Sequence, residues 1–234
     1  MNPWQAMTAT PLFGVVVTVG AYLFAVAVAR RARGKAYANP VLWSVVIIIV
    51  LLALTKTPVE HYQAGGDLIA FFLGPATVAL ALPLHRQLAH IKKALVPTLM
   101  ASVFGATTAI FAAVWITRAL GGSHDLVASM IPKSTTSPVA LAITDTIGGI
   151  PALTAALVIL TGVLGAIAGP GLLRLVHIRN DIAVGLAMGV SAHGIGTARA
   201  LTQNPTQGAF AALAMALSAV ITPVAVALLL PYLL

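Results

Sequence analysis

Long apolar runs separated by short polar stretches make up most of this chain. Several reach the roughly 18–20 residues that a helix needs to cross the hydrocarbon core of a membrane. None shows the period-two alternation of a transmembrane β-strand. The pattern predicts an all-α polytopic membrane protein whose apolar segments are Leu12–Ala29, Pro40–Leu54, Asp67–Leu84, Ala94–Leu120, Ile150–Ile167, Ile182–Gln203 and Ala209–Leu230.

Composition and charge support this class. Of the 234 residues, 59% are hydrophobic and 8% are charged, whereas about a quarter are charged in a soluble domain. The net charge of +8 is concentrated in three short segments, 30–35, 85–93 and 174–179. By the positive-inside rule these segments are cytoplasmic, so the basic excess sets orientation in a bacterial inner membrane and does not indicate a nucleic-acid partner. The first apolar run follows no basic residue, so we expect a retained span and not a signal peptide.

One polar stretch interrupts the apolar pattern near the middle of the chain. Residues 133–149, KSTTSPVALAITDTIGG, place a lysine and four consecutive hydroxyl side chains before a proline. We expect Ser137 to be the N-cap and Pro138 the first residue of a helix. Polar backbone at membrane depth is tolerated only inside the protein or against a wet cavity. A helix that begins there directs its positive end at the cavity, which predicts a solute site.

All three basic segments are expected on the cytoplasmic side. This requirement divides the chain, a single domain (1–234), into about seven to eight membrane segments. Since 85–93 and 174–179 lie on one side, Leu126–Thr146 must start and finish outside. It is either a re-entrant hairpin or a pair of short crossings, and the hairpin is preferred. If Ile182–Gln203 crosses the membrane, the C-terminus is inside.

Glycine and proline predict where segments break. Gly74 and Pro75 would kink or split the span 67–84, because proline removes a backbone hydrogen bond. Gly169-Pro170-Gly171 would end the helix that starts at Ile150, and Lys56–Gly66 is predicted to be an outer loop.

Two of these interruptions suggest an internal repeat. Gly74-Pro75-Ala76-Thr77 and Gly194-Ile195-Gly196-Thr197 share the form Gly-x-small-Thr, and they occur in segments of opposite predicted orientation. Broken helices in inverted repeats are typical of secondary transporters. The pattern predicts repeat halves 12–120 and 126–234. The alternative is coincidence, since alanine, leucine, glycine and threonine are common in membrane helices.

Four sequence blocks together resemble the LrgB/CidB family: FLGPATVALALPL (72–84), KSTTSPVALAIT (133–144), GGIPALTAALVILTG (148–162) and VSAHGIGTARAL (190–201). Proteins of this family are described as partners of holin-like LrgA/CidA proteins in murein hydrolase export, autolysis and programmed cell death. Related proteins look like carriers of pyruvate, glycolate or glycerate. The resemblance implies a single LrgB-like transmembrane domain, a holin-like partner and a small monocarboxylate solute.

The predicted site joins the two interrupted segments across a small cavity. Its first wall is the helix start at Thr135, Thr136, Ser137 and Pro138. Its second wall is the break at His193, Gly194, Gly196 and Thr197, and a third wall is formed by Pro75 and Thr77. Arg199 or Lys133 would supply the counter-charge for a carboxylate, for which arginine is the better bidentate partner. His193 would carry a proton.

Each assignment has a structural alternative. Lys133 would snorkel to the outer surface, Arg199 would act only in topology, and His193 would be a core histidine bonded to a carbonyl. Asp145 is expected to pair with a basic residue and hold the hairpin. Serine and threonine hydroxyls in helices often bond back to their own backbone.

No pattern of a zinc protease, a serine hydrolase or a P-loop enzyme occurs, and with five acidic residues and no cysteine we predict neither enzyme activity, metal nor cofactor. We favour a secondary transporter of small monocarboxylates, because a scaffold does not need broken helices. The alternatives are a non-transporting regulatory protein that acts with a holin-like partner, and a channel. A homo-oligomer, a dimer, is also expected in the lipid bilayer.

Overall fold

The structure is a computed structural model that describes residues 7–32, 39–72, 75, 78, 79 and 81–234, with the backbone alone for residues 81, 83, 84 and 90. All regular secondary structure in this part of the chain is helical, as predicted. The chain forms two compact units, unit 1 from Met1 to Ala81 and unit 2 from Leu82 to Leu234.

The helices are numbered here in chain order. Those of unit 1 are α1 (Pro11–Arg31), α2 (Pro40–Thr55) and α3 (Val59–Phe71). A short helix, α4 (Ala81–Arg86), begins at the boundary. Those of unit 2 are α5 (Leu88–Lys93), α6 (Leu95–Ala119), α7 (His124–Met130), α8 (Ser137–Ile147), α9 (Pro151–Leu175), α10 (Asp181–Gln203) and α11 (Pro205–Leu233).

Four helices among the described residues, α1, α6, α9 and α11, are long and apolar enough to cross a membrane. Three of these begin with a proline, at Pro11, Pro151 and Pro205. A proline costs little there, because the first N–H groups of a helix have no intrahelical partner. The other segments of the predicted seven to eight are not confirmed as spans.

The predicted outer loop Lys56–Gly66 is wrong, because α3 begins at Val59. A tertiary contact explains the helix. A side chain at Gly65 would lie 2.6 Å from the Cα of Gly14, so α3 packs directly on the backbone of α1. Tyr62 of α3 also hydrogen-bonds Thr18 of α1, with 2.8 Å between the hydroxyl oxygens.

The predicted end of α9 at Gly169 is also wrong, since the helix continues through Pro170 to Leu175. Proline removes one backbone hydrogen bond, but ending the helix would release several polar groups in an apolar environment. Gly169 also lets the Met188 sulfur approach, because a Cβ there would lie 2.8 Å from it. The helix therefore tolerates its proline.

Helices α7 and α8 form a helical hairpin, called hairpin 1 (His124–Ile147). The Ser129 hydroxyl at the end of α7 accepts the backbone N–H of Ile150 at 2.8 Å. The Thr154 hydroxyl of α9 donates to the Ser129 carbonyl at 3.1 Å and lies 2.9 Å from the Thr144 hydroxyl of α8. Both arms therefore meet the first turn of α9. The apolar faces pack on Ile110 and other residues of α6 and α11.

Helix α10 is a second hairpin, called hairpin 2 (Asp181–Gln203), because its backbone breaks at His193 (φ 39°, ψ −130°). A straight helix of this length would separate its ends by about 33 Å. Instead, Asn204 donates to the Asp181 carboxylate at 3.1 Å. Met188 and Ala200 pack together across the two arms. The C-terminus was expected inside only if this segment crossed the membrane. The segment does not cross, since the chain returns to the end at which it entered.

The two hairpins enter unit 2 from opposite ends. Hairpin 1 follows the C-terminal end of α6, where Arg118 donates to the Leu233 carbonyl of α11 at 2.9 Å. Hairpin 2 starts at the other end, where Gln207 near the start of α11 donates to Asp181 at 2.7 Å. We call these the Arg118 end and the Asp181 end. Helix α9 runs from the first to the second.

Candidate functional site

The tip of hairpin 1 is the turn between α7 and α8, residues 131–136. Thr135 is 1% exposed, and its hydroxyl has no hydrogen-bond partner among the described residues. The Lys133 ammonium is half-buried and reaches only the Ser134 hydroxyl, at 3.3 Å. This turn combines a buried unpaired hydroxyl with a cation.

Helix α8 starts one residue earlier than predicted. Thr136 is the N-cap, Ser137 is the first helical residue, and Pro138 is the second. Proline tolerates either position, since neither N–H would be bonded within the helix. The N-cap makes no side-chain hydrogen bond, so the Val139 N–H is not satisfied by the cap side chain.

The tip of hairpin 2 is His193, which is 5% exposed. Its Nε2 lies 2.9 Å from the Val158 carbonyl of α9. Because a carbonyl oxygen only accepts, Nε2 carries the proton and Nδ1 is the basic nitrogen of the neutral ring. Thr197 is buried and donates to the His193 carbonyl at 2.8 Å. The structure therefore contains the predicted break. Both side chains nevertheless make the bonds of their structural alternatives: His193 bonds a carbonyl, and Thr197 bonds back to its own backbone.

The glycines of the second break differ in environment. Gly194 is exposed and Gly196 is buried. A Cβ on Gly196 would lie 2.6 Å from the Ala192 Cβ of the opposite arm. The two predicted glycines therefore differ in role. Gly196 allows the two arms to pack, whereas Gly194 leaves the first turn of the second arm exposed.

By residue count along the helices, both tips reach the same level of α9. His193 bonds Val158, and a side chain at Gly162 would lie 2.7 Å from the His193 ring. On the other side, Thr144 pairs with Thr154. Ser137 precedes Thr144 by seven residues, about 10 Å along the antiparallel α8. That count brings the start of α8 level with the same two turns of α9, near the middle of the helix.

The remaining predicted residues lie elsewhere. Arg199 is half-exposed and six residues beyond His193, about 9 Å toward the Asp181 end. Asp145 is exposed, and its carboxylate has no ion-pair or hydrogen-bond partner in the part of the chain that the structure describes. Thr77 lies outside the described residues, and Pro75 is exposed and belongs to unit 1.

Sequence reasoning missed the residues that hold the hairpins. Ser129, Thr144 and Thr154 tie hairpin 1 to α9, whereas Asp145 was expected to do so. Asp181 and Asn204 join the ends of hairpin 2. Only Asn204 carried a local signal, because asparagine before a proline is typical of an N-cap, and its side chain does accept the N–H of Thr206.

These features define a polytopic α-helical membrane protein with interrupted helices in its larger unit. A family model described as the LrgB-like family matches residues 18–232. The antiholin-like protein LrgB of Bacillus cereus (strain B4264) is 33% identical over 228 residues, 97% of this chain and 99% of the relative. An uncharacterized protein of Bacillus subtilis (strain 168), YwbG, is 36% identical over 221 residues, 94% of this chain and 98% of the relative.

The chain therefore belongs to the LrgB-like family, as the resemblance of its four sequence blocks indicated. No solved structure gives a significant match.

Proposed function

We propose that this protein transports small monocarboxylates, pyruvate- or glycolate-like, across a bacterial inner membrane, and that it works with a holin-like membrane partner. The observation that carries the proposal is the common level of the two hairpin tips on α9. We propose that one solute bridges the two tips at that level. The partner is suggested by the relatives named antiholin-like protein LrgB.

The proposed solute is an anion because helix starts supply donors. The second arm of hairpin 2 begins at Gly194 and runs toward the Asp181 end, while α8 begins at Ser137 and runs toward the Arg118 end. Both helices therefore begin near the middle of unit 2. A helix start carries about half a positive charge and unpaired N–H groups. Two starts at one level favour a carboxylate, as at the broken helices of secondary transporters.

Side chains of hairpin 1 strengthen this preference. The buried hydroxyl of Thr135 lacks a protein partner and would donate to a carboxylate oxygen. The Lys133 ammonium in the same turn carries no acidic partner among the described residues and would supply the charge. We assign Lys133 the counter-charge before Arg199, because Arg199 lies about 9 Å along its arm from the tip.

His193 is the proposed proton carrier of this site. Its Nε2 is committed to Val158, so proton uptake would occur at Nδ1. Gain and loss of a proton at this ring would accompany uptake of a carboxylate. Thr197 holds the carbonyl of His193, and we assign it to support the break and not to contact solute.

Uptake of labelled pyruvate and glycolate by proteoliposomes tests the proposal, with and without a holin-like partner. Lys133→Ala and Thr136→Val should each lower uptake at least tenfold, while Arg199→Ala should lower it less. Thr146→Val is the matched control, because its exposed hydroxyl bonds only the Ala142 carbonyl of its own helix.

Two outcomes would contradict the proposal. Unchanged uptake in both Lys133→Ala and Thr136→Val would remove the site. Absence of uptake of any short carboxylate, with and without the partner, would favour a regulatory protein that modulates a holin-like pore without transporting.

A further inference from the structure

Unit 2 contains two segments of equal build, offset by 56 positions. Helices α6 and α9 each have 25 residues, and each is followed by a helical hairpin. Hairpin 1 ends at Ile147 and hairpin 2 ends at Gln203. All three boundaries, the start and end of the long helix and the end of the hairpin, thus recur at one spacing. The segments are Leu95–Ile147 and Pro151–Gln203.

The turns after the two long helices match at the same spacing. Gly121 has φ 77° and His177 has φ 62°. The N–H of Gly121 donates to the Arg118 carbonyl at 2.9 Å, and the N–H of His177 donates to the Arg174 carbonyl at 3.1 Å. Helices often end with a residue of positive φ, so the turn supports the repeat only together with the shared boundaries. The segments have opposite orientation because their long helices run in opposite directions.

This repeat differs from the halves 12–120 and 126–234 expected from the sequence. Its identical pairs include two acids at the hairpin entrances, Asp125 and Asp181. His193 lies 56 residues after Ser137, so the start of α8 and the break of hairpin 2 are equivalent positions. The similarity of residues is otherwise low, and the backbone carries the correspondence.

The two acids have different surroundings. Asp181 accepts the side-chain amides of Asn204 at 3.1 Å and Gln207 at 2.7 Å. Asn204 also caps α11 through the N–H of Thr206 at 2.7 Å, so one cluster joins both arms of hairpin 2 to the next helix. Asp125 is exposed, and its side chain bonds none of the described residues.

We infer that Asp181 is the latch of hairpin 2: with Asn204 and Gln207 it holds the two arms together and closes the Asp181 end of unit 2. This inference rests on the proposed function in making the latch the inner gate of the solute site. Release of the carboxylate frees the second arm, whose buried face packs at Ala200 against Val184 and Met188. The arm then opens toward the cytoplasm, while hairpin 1 stays fixed by its hydroxyl network.

Cysteine reactivity tests the latch in the intact protein, which has no natural cysteine. Ala200→Cys places a thiol at a fully buried position of hairpin 2, and Ala140→Cys does so in hairpin 1. A membrane-impermeant maleimide is applied to inside-out vesicles. Asp181→Ala should raise the labelling rate at position 200 at least tenfold and leave position 140 unchanged, and Gln207→Ala should raise the rate less.

Asp125→Ala is the matched control, since it removes the equivalent acid without breaking a side-chain bond, and it should leave both labelling rates unchanged. An unchanged rate at position 200 in Asp181→Ala and Gln207→Ala would overturn the latch. Rates that rise together at 140 and 200 would also overturn it, because general unfolding exposes both. Labelling is measured without solute, so this result stands or falls separately from the uptake assay.

Discussion

Thr135 offers the sharpest separation of binding from folding in this protein. Its side chain is 1% exposed, and its hydroxyl has no partner among the described residues. Thr135→Val keeps the shape of the side chain and replaces the hydroxyl by a methyl group. A folding role would need a hydrogen bond that the structure does not provide, whereas a binding role needs the hydroxyl to be free.

The two roles predict effects of opposite sign. A buried polar group without a partner costs about 1–3 kcal/mol, so Thr135→Val should leave the free energy of unfolding unchanged or raise it by up to that amount. A hydrogen bond to a charged group contributes about 1.5–3 kcal/mol. Loss of such a bond to a carboxylate should weaken the apparent affinity roughly 10- to 150-fold.

The measurements are the concentration dependence of uptake in proteoliposomes and thermal unfolding in detergent. Thr154→Val is the control, because the Thr154 hydroxyl donates to the Ser129 carbonyl and lies 2.9 Å from the Thr144 hydroxyl. It should lower the stability of hairpin 1 by about 1–3 kcal/mol. If Thr135→Val destabilises the protein as much as Thr154→Val and leaves affinity unchanged, the binding role is refuted.

Two further predictions concern packing around the hairpins. Gly162→Ala would place a Cβ 2.7 Å from the His193 ring and should lower the free energy of unfolding by about 1–3 kcal/mol. Gly171→Ala is the control in the same helix: its Cβ would have nothing within 4 Å, so it should be neutral or slightly stabilising. Equal melting temperatures of the two variants would contradict this prediction. Ser129→Ala should cost about 1–3 kcal/mol because the Ile150 N–H loses its acceptor. Ser218→Ala, whose hydroxyl has no described partner, should leave the melting temperature unchanged or raise it, and equal decreases in these two variants would refute the role of Ser129.

The helices of this protein were largely predictable from its sequence because a membrane restricts the choices. An apolar run must satisfy its own backbone, so composition alone predicted α1, α6 and α11 within about four residues and α9 at its start. Helix ends were less predictable. Pro170 looked like a stop, but an apolar environment penalises a lost helix more than a single missing hydrogen bond.

The fold-back of hairpin 2 was not predictable from local pattern. Residues 182–203 have the length of one crossing, and glycines at 194 and 196 indicated a break but not its angle. The angle depends on non-local contacts: Asp181 with Asn204, and the His193 ring with Val158 of α9. Such contacts join residues more than twenty positions apart, which no periodicity records.

A balance of donors and acceptors connects the broken helices to an anion. At the tip of hairpin 2, the carbonyls of Val158 and His193 are bonded by the His193 ring and the Thr197 hydroxyl. At the tip of hairpin 1, the N-cap makes no side-chain bond, and the Thr135 hydroxyl is unpaired. Two carbonyls at the tip of hairpin 2 therefore have partners, whereas the Thr135 hydroxyl at the tip of hairpin 1 has none among the described residues. The proposed carboxylate would supply an acceptor for the Thr135 hydroxyl, together with the negative charge that two helix starts favour.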